Sequence, residues 1–370
     1  MTVLVTGASG LLGSAVALEL ARHMRVAHLD WRPGSADQRQ AAPEVLRVEA
    51  DIGDQEALSK AFKRIQAAFG QLDFVVHMAA FYHFGIDERP EYDRVNREGT
   101  RNVWACAKDA GVRRIIFASS LAVMKPPTPG VCLNESTPSN APMPYARSKA
   151  DSEVFLRERA EALPATIVRI GGIFTDWCEL PPLYGLFRRW TKRGTMARCI
   201  PGKGTSSIPY LHRRDLARLF LRTIECHENC AGCETFLGCQ DGDIAHHALM
   251  AKLREIAGFT KNAPIHIPVW MARTGLRLEH LLGRVTGQGP VEQPWMLDYV
   301  DRPMPADTSQ TRAKLKWAPS PELGLMERLP VMVWHFQEER ELWEERNRRR
   351  NAAKYEFYFE IGELPTKVPW

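Results

Sequence analysis

No uninterrupted apolar run in this chain approaches the ~18 residues that a bilayer span requires, and a membrane-spanning protein is not expected. A secretory leader is missing too. The first apolar run, Val3 to Val5, passes directly into a glycine-rich turn with no basic region before it, so a cytoplasmic location is expected. Charge of one sign is scarce: 49 Lys and Arg stand against 44 Asp and Glu, a net +5. With no zinc-finger, helix-turn-helix or RNA-binding motif, nucleic acid is not an expected partner. Cysteine is thin, eight in 370 residues and scattered, which points to reduced thiols rather than a disulfide framework. Cys226, Cys230, Cys233 and Cys239 are spaced CxxxC, CxxC and CxxxxxC. That is not the paired CxxC of a zinc ribbon, and no metal is expected. Internal repeats and low-complexity tracts are absent as well.

What is present is alternation. Over residues 1–170, β-rich runs at Thr2–Thr6, Arg25–Leu29, Val45–Glu49, Asp73–Met78, Arg114–Ser119 and Ala165–Ile170 are separated by helical periodicities. Leu58, Ala61, Phe62, Ile65 and Phe69 trace one helical face, with Asp54 placed as its N-cap. Strands that are nearly continuous in Val, Ile, Leu and Phe are covered on both faces. The pattern predicts an α/β fold with a doubly wound parallel sheet. After Ile170, loops punctuated by Gly and Pro lead into a smaller part, residues 171–330, interleaved with the core and expected to bind substrate. Residues 331–370 read as a charged helical extension with Glu344–Arg348 and Glu345–Arg349 pairs and an aromatic stretch, Tyr355–Phe359. An arm clasping a second subunit and a solvated helix are both open readings of it.

The first strand ends in Thr6-Gly7-Ala8-Ser9-Gly10-Leu11-Leu12-Gly13 and a helix follows. Gly7 and Gly10 permit a tight turn and close approach to a pyrophosphate, and Gly13 lets helix and strand pack. Ser9, Leu11 and Leu12 lie where backbone N–H groups aim at the phosphates. Asp30 ends the second strand seventeen residues after Gly13. A carboxylate there accepts hydrogen bonds from an adenosine ribose and repels a 2′-phosphate, favouring NAD over NADP.

Further matches follow in order. Asp51-Ile52 ends the third strand, and His77-Met78-Ala79-Ala80 follows the fourth. Asn96-Arg97-Glu98-Gly99-Thr100 reads NxxGT, and Ser119-Ser120 ends the fifth strand. Tyr145-Ala146-Arg147-Ser148-Lys149 reads YxxxK, 25 residues beyond Ser120. His212-Arg213-Arg214-Asp215 and Leu315-Lys316-Trp317-Ala318-Pro319 close the series. With these motifs the chain resembles the extended short-chain dehydrogenases/reductases, also called the NAD-dependent epimerase/dehydratase family, over about residues 1–330. The resemblance implies a Rossmann-type NAD-binding domain at 1–170. It also implies adenine contacts from Asp51 and Ile52, and Ala79 and Ala80 lying along the cofactor. Its catalytic set is Ser120, Tyr145 and Lys149, with Asn96 in support.

Tyr145 and Lys149 stand four apart and share a helical face. An ammonium beside the phenol favours the phenolate, so Tyr145 can exchange a proton with a substrate hydroxyl or alkoxide near neutral pH. Lys149 is also expected on the nicotinamide ribose, and Ser120 donates to the same substrate oxygen. The resemblance also speaks to substrate. Members acting on nucleotide sugars commonly carry Asn three residues after the Arg that ends the sixth strand, where this chain has Gly172 after Arg169. They often carry Arg four residues before the later His, where Ile208 precedes His212. Both departures favour the branch resembling 3β-hydroxysteroid dehydrogenases, with a lipophilic, sterol- or terpenoid-like substrate. Leu183, Leu186, Phe187, Trp190, Trp270, Met271, Leu276, Leu281 and Trp295 are candidates for an apolar pocket, with packing of the small domain as the competing role. Phe187–Arg193, mixing aromatics with bases, is a candidate for peripheral membrane contact, and a homodimer is expected. A nucleotide-sugar epimerase is the alternative. A non-catalytic dinucleotide sensor is a third reading, disfavoured because a pure binder needs no proton-transfer set.

Overall fold

A computed structural model describes residues 1–32, 44–83, 85–141, 143–286 and 294–352. The strands are β1 (Thr2–Thr6), β2 (Arg25–Asp30), β3 (Leu46–Glu49), β4 (Phe74–His77), β5 (Arg114–Ser120), β6 (Ala165–Ile170), β7 (Gly172–Phe174), β8 (Cys199–Pro201), β9 (Ser207–Ile208), β10 (Tyr210–His212), β11 (Cys233–Gly238), β12 (Ile244–Ala245) and β13 (Ile265–Ile267). Seven of them form one sheet in the order β11–β6–β5–β4–β1–β2–β3, with every neighbouring pair parallel. This is the doubly wound order with an added edge strand, and its reversal at β1/β4 opens the crevice where such sheets take dinucleotides.

Side-chain alternation makes two cores from one sheet. Val3, Val5, Phe74 and Val76 meet α1 (Leu11–Ala21) and, from later in the chain, the helix Arg213–Glu225 through Leu216, Leu219 and Phe220. Leu4 and Val75 point the other way, to α2 (Gln55–Phe69) and α3 (Gly99–Asp109). Asp54 caps α2 as the spacing predicts, accepting from the Ala57 N–H at 3.0 Å. The Tyr145 helix is α4 (Pro144–Glu158), started by a proline at its first position.

The smaller part holds α5 (Pro181–Trp190), α6 (Arg213–Glu225), α7 (His246–Ile256), α8 (Val269–Thr286), α9 (Ser309–Leu315), α10 (Leu325–Glu338) and α11 (Arg340–Ala352), with the short strand pairs β7/β10, β9/β12 and β8/β13. Of the elements after β7, α6 packs on the main sheet and β11 joins its edge. Phe174, Leu183, Phe187, Trp190, Leu249 and Trp343 build a separate core. Leu183, Phe187 and Trp190 therefore pack that core, whereas Trp270, Met271 and Leu281 are exposed. With Phe187 and Trp190 at 0% and 2% exposure, the aromatics of the 187–193 segment cannot reach a membrane.

The described part of the extension, through residue 352, is packed on the chain itself rather than loose in solvent. Its first helix starts at Leu325 rather than at Pro330, because Leu325, Leu329, Met332 and Val333 form a buried stripe and Pro330 is carried inside the helix. In α11, Trp343 is fully buried and stacks on Tyr184 at 5.3 Å. Arg346 pairs with buried Glu179 at 2.8 Å. The side chains of Arg348 and Arg349, and residues Tyr355–Phe359, lie outside the described residues. Among the described residues no helix is long and apolar enough to cross a membrane.

Candidate active site

The glycine turn is dictated by sterics. Gly7 has φ +69°, and a Cβ there would stand 2.6 Å from the Ala79 backbone nitrogen. A Cβ at Gly13 would stand 2.1 Å from the Gly7 carbonyl oxygen, against 3.2 Å at Gly10. Helix α1 begins with Gly10 as its N-cap, no side-chain cap and no acid in its first turn. The first-turn N–H groups of Leu11 and Leu12 thus meet no carboxylate of their own helix, which suits a pyrophosphate, whereas the Ser9 N–H, expected on the phosphates, is taken by Asp30. At the end of β2, Asp30 Oδ2 accepts from the Ser9 N–H at 2.9 Å, and burial pushes its carboxyl above the usual carboxylate range. The donor set and the narrow turn fit a dinucleotide.

Asp51 and Ile52 are braced by the NxxGT segment. Asp51 accepts from Arg94 at 2.5 Å and from the Gly53 N–H at 2.8 Å. A Cβ at Gly99 would stand 2.7 Å from Ile52 Cδ1, and Asn102 Nδ2 donates to the Ile52 carbonyl at 2.9 Å. Small size at position 99 is what lets the helix approach.

Asn96 lies on a π-helical turn, Tyr92–Glu98, and is 2% exposed. Its amide donates to the Phe81 carbonyl at 3.0 Å and to Ser148 Oγ at 2.8 Å, and its Oδ1 accepts from the Phe81 N–H at 2.7 Å. Ser148 Oγ in turn donates to the Tyr145 carbonyl at 2.7 Å. Both donors of Asn96 are thus committed to protein groups. It is a positioning residue that ties the Ala79–Phe81 segment to the Tyr145 helix.

Lys149 is 3% exposed; its Nζ donates to the Ala118 carbonyl at 2.8 Å and lies 4.5 Å from the Phe117 ring centroid. Burial lowers its pKa to about 7, against the opposing pull of Glu153. Tyr145 is half-buried, with the edge of its ring set against Tyr82 at 4.8 Å. The two adjacent serines divide by environment. Ser119 is buried and donates to Glu153 Oε1 at 2.6 Å. Ser120, at the end of β5, accepts from the Ala122 N–H at 3.2 Å, and its hydroxyl hydrogen has no acceptor among the described residues. Of the two, Ser119 is the one whose hydroxyl is already committed among the described residues.

Three groups have roles that the sequence motifs did not assign. The first is His77, 1% exposed, bridging Thr6 Oγ1 at 2.7 Å and Thr100 Oγ1 at 3.0 Å. Thr100 already donates to the Asn96 carbonyl at 2.6 Å. It must therefore accept from His77 Nε2–H, which leaves Nδ1 to accept from Thr6, while Thr6 accepts from the Ala79 N–H at 3.3 Å. One neutral imidazole so connects the cofactor-facing segment to the Asn96 turn. The second is the Arg169–Glu153 pair, 2.8 Å apart, with side chains 6% and 3% exposed. A charged residue four after Lys149 on the same helical face was its signal. The third is Asp215, fully buried, whose carboxylate accepts from the Ser320 N–H at 2.9 Å and the Ser320 hydroxyl at 2.8 Å. It joins the HxxD segment to the closing Leu315–Pro319 segment.

Burial holds the His77 imidazole at a pKa of about 3 rather than the ordinary 6.5. The folded chain therefore refuses a proton that the unfolded chain accepts below 6.5, and stability is lost as the pH falls from 6.5 towards 3. Denaturant midpoints at pH 7 and pH 4.5 should fall less for His77→Asn than for the parent.

Near the far end of β6, a Cβ at Gly172 would stand 3.0 Å from Tyr210 Cδ1 and 3.1 Å from Ile208 Cδ1. The two positions at which the sequence departs from the nucleotide-sugar pattern are neighbours in space. A Cβ at Gly171 would stand 3.3 Å from Leu121 Cδ1, the side chain following Ser120.

A profile of the NAD dependent epimerase/dehydratase family matches residues 3–236. The N-acetyl-alpha-D-glucosaminyl-diphospho-ditrans,octacis-undecaprenol 4-epimerase of Escherichia coli O157:H7 is 28% identical over 296 residues, spanning 77% of this chain and 81% of that protein. Sterol demethylase protein B of Methylococcus capsulatus is 32% identical over 229 residues, spanning 61% and 66%. Among solved structures, UDP-glucose 4-epimerase of Thermotoga maritima shares the fold, with TM-score 0.67 at 21% identity over 92% of this chain and 99% of that one. The chain is an enzyme of the NAD dependent epimerase/dehydratase family, an extended short-chain dehydrogenase/reductase with NAD as its cofactor.

Proposed function

We propose that the protein oxidises or reduces a secondary alcohol or ketone on a lipophilic, sterol- or terpenoid-like molecule, with Ser120, Tyr145 and Lys149 as its proton-handling set. The observation that carries the substrate class is the meeting of Gly172, Ile208 and Tyr210. An Asn at 172 would need both neighbours to move, and Ile208 offers a diphosphate no charge. One relative is named for a sterol, which supports an apolar substrate end.

NAD supplies the hydride acceptor or donor when bound. The chain's own residues hold it through the Gly7–Gly13 turn, Asp30, Asp51, Ile52, Ala79 and Ala80, and Lys149 orients its ribose. Ser120 donates to the substrate oxygen and fixes it. Tyr145 takes the hydroxyl proton in oxidation and returns it in reduction, with the Lys149 ammonium favouring the phenolate.

The test follows NADH at 340 nm with hydroxysteroids, terpenoid alcohols and nucleotide sugars, alongside product analysis. Turnover on the first two classes is expected; turnover confined to nucleotide sugars overturns the substrate class. The epimerase reading draws on the Escherichia coli relative. It would appear as sugar interconversion without net NADH. Asp30→Ala is expected to lower the preference for NAD over NADP by about 10–100-fold, the worth of a charge-assisted hydrogen bond. The ratio of kcat/KM for the two cofactors measures it, and an unchanged ratio removes Asp30 from ribose recognition.

A further inference from the structure

We propose that α8 docks this protein on an anionic lipid surface. Five large apolar side chains stand out of this helix into solvent: Trp270 at 69% exposure, Met271 at 45%, Leu278 at 56%, Leu281 at 59% and Leu282 at 63%. At 100° per residue they fall within an arc of about 120°. The helix is held from its other side. Leu276 is 8% exposed, and Glu279 pairs with Arg189 at 3.0 Å. The apolar arc is thus a surface of a seated helix rather than a stray segment.

Charge identifies the occupant. Glu279 is the sole acid of the helix sequence, and it lies outside the arc, about 60° beyond its edge, committed to Arg189. Arg277 borders the arc and forms no ion pair among the described residues. Arg273 lies next to it, held by Asp298 at 3.2 Å. An apolar face bordered by arginine, with a Trp at the helix start, suits the boundary of anionic headgroups and acyl chains. Five side chains fall well short of the ~20–30 residues per side of a standard protein interface. A bilayer, in contrast, takes up a shallow stripe without a matching shape. The helix lies in the interface, because no described helix is apolar enough to span it. This surface is independent of the substrate class proposed above.

Flotation with vesicles of phosphatidylcholine containing about 30% phosphatidylglycerol, a composition chosen to set a negative surface potential, tests the proposal. The full chain is expected to float with them and much less with pure phosphatidylcholine. Leu278→Glu with Leu281→Glu should weaken partitioning by about tenfold or more, and Arg277→Glu by about fivefold or more. Neither should change the melting temperature or turnover of a detergent-dispersed substrate. Absence of flotation, or flotation indifferent to these changes, overturns it. So does a dimer in vesicle-free solution that the double substitution dissociates, which would make a second copy of the chain the occupant.

Discussion

Tyr145→Phe is expected to lower kcat by about 10²–10⁴-fold, the usual worth of a positioned proton-transfer group, while NAD still binds and the fold persists. The phenyl ring keeps its edge against Tyr82 and removes only the hydroxyl. In the proposed mechanism that hydroxyl depends on Lys149, four residues further along the same helix. Its ammonium is buried over the Phe117 ring and bonded to the Ala118 carbonyl, where little solvent screens its field. The same burial brings its pKa to about 7. In the cofactor-free protein its charge is therefore full below that pH and fades above it, and with it the support given to the phenolate. Glu153, one turn further along, opposes the fall, so Glu153→Gln should lower the Lys149 pKa further. Steady-state kinetics with cofactor titration checks the first expectation, and nitrogen-detected NMR of the Lys149 amine checks the second. Undiminished turnover in Tyr145→Phe would remove the phenol from the mechanism.

Arg169→Met should cost about 3–5 kcal/mol of stability. The guanidinium faces Glu153 through both Nε and Nη2, at 3.1 and 2.8 Å, and Nη1 donates to the Thr137 carbonyl at 2.9 Å. Removing it leaves the carboxylate with only the Ser119 hydroxyl and, at 3.6 Å, Arg157, in a site that is 3% exposed. Most of that loss is desolvation without compensation, so the double variant Glu153→Leu, Arg169→Met should recover a large part of it. Urea denaturation of the parent, the single and the double variant separates the two contributions. If the double variant were no more stable than the single, the carboxylate desolvation argument would fail.

The small-domain residues show where reading the sequence stopped. Phe187 and Trp190 beside Arg188 and Arg189 look amphipathic in one dimension. On α5 Phe187 turns inward against Phe336 and Trp343, and Trp190 against His246, contacts that no local spacing announces. Trp270 and Leu281, taken as possible pocket lining, face solvent instead. The extension's charge density left a subunit-clasping arm and a solvated helix both open; the fully buried Trp343 and the Glu179–Arg346 pair that seat it on the chain are invisible without their partners. The nearby NxxGT helix begins as a π-helical turn, which aims Asn96 at Phe81 and Ser148.

Local chemistry alone determined the glycine turn, the alternation of strands and helices, and the Tyr145–Lys149 spacing. Each of these depends on φ values, periodicity or a one-turn separation within a few residues of chain. The tertiary structure alone decided which serine is committed to Glu153, that His77 is a neutral strut, that Gly172 meets Ile208, and that apolar side chains of α8 are exposed. Those outcomes depend on burial and on partners distant in sequence, and burial belongs to the folded assembly of elements rather than to any one of them.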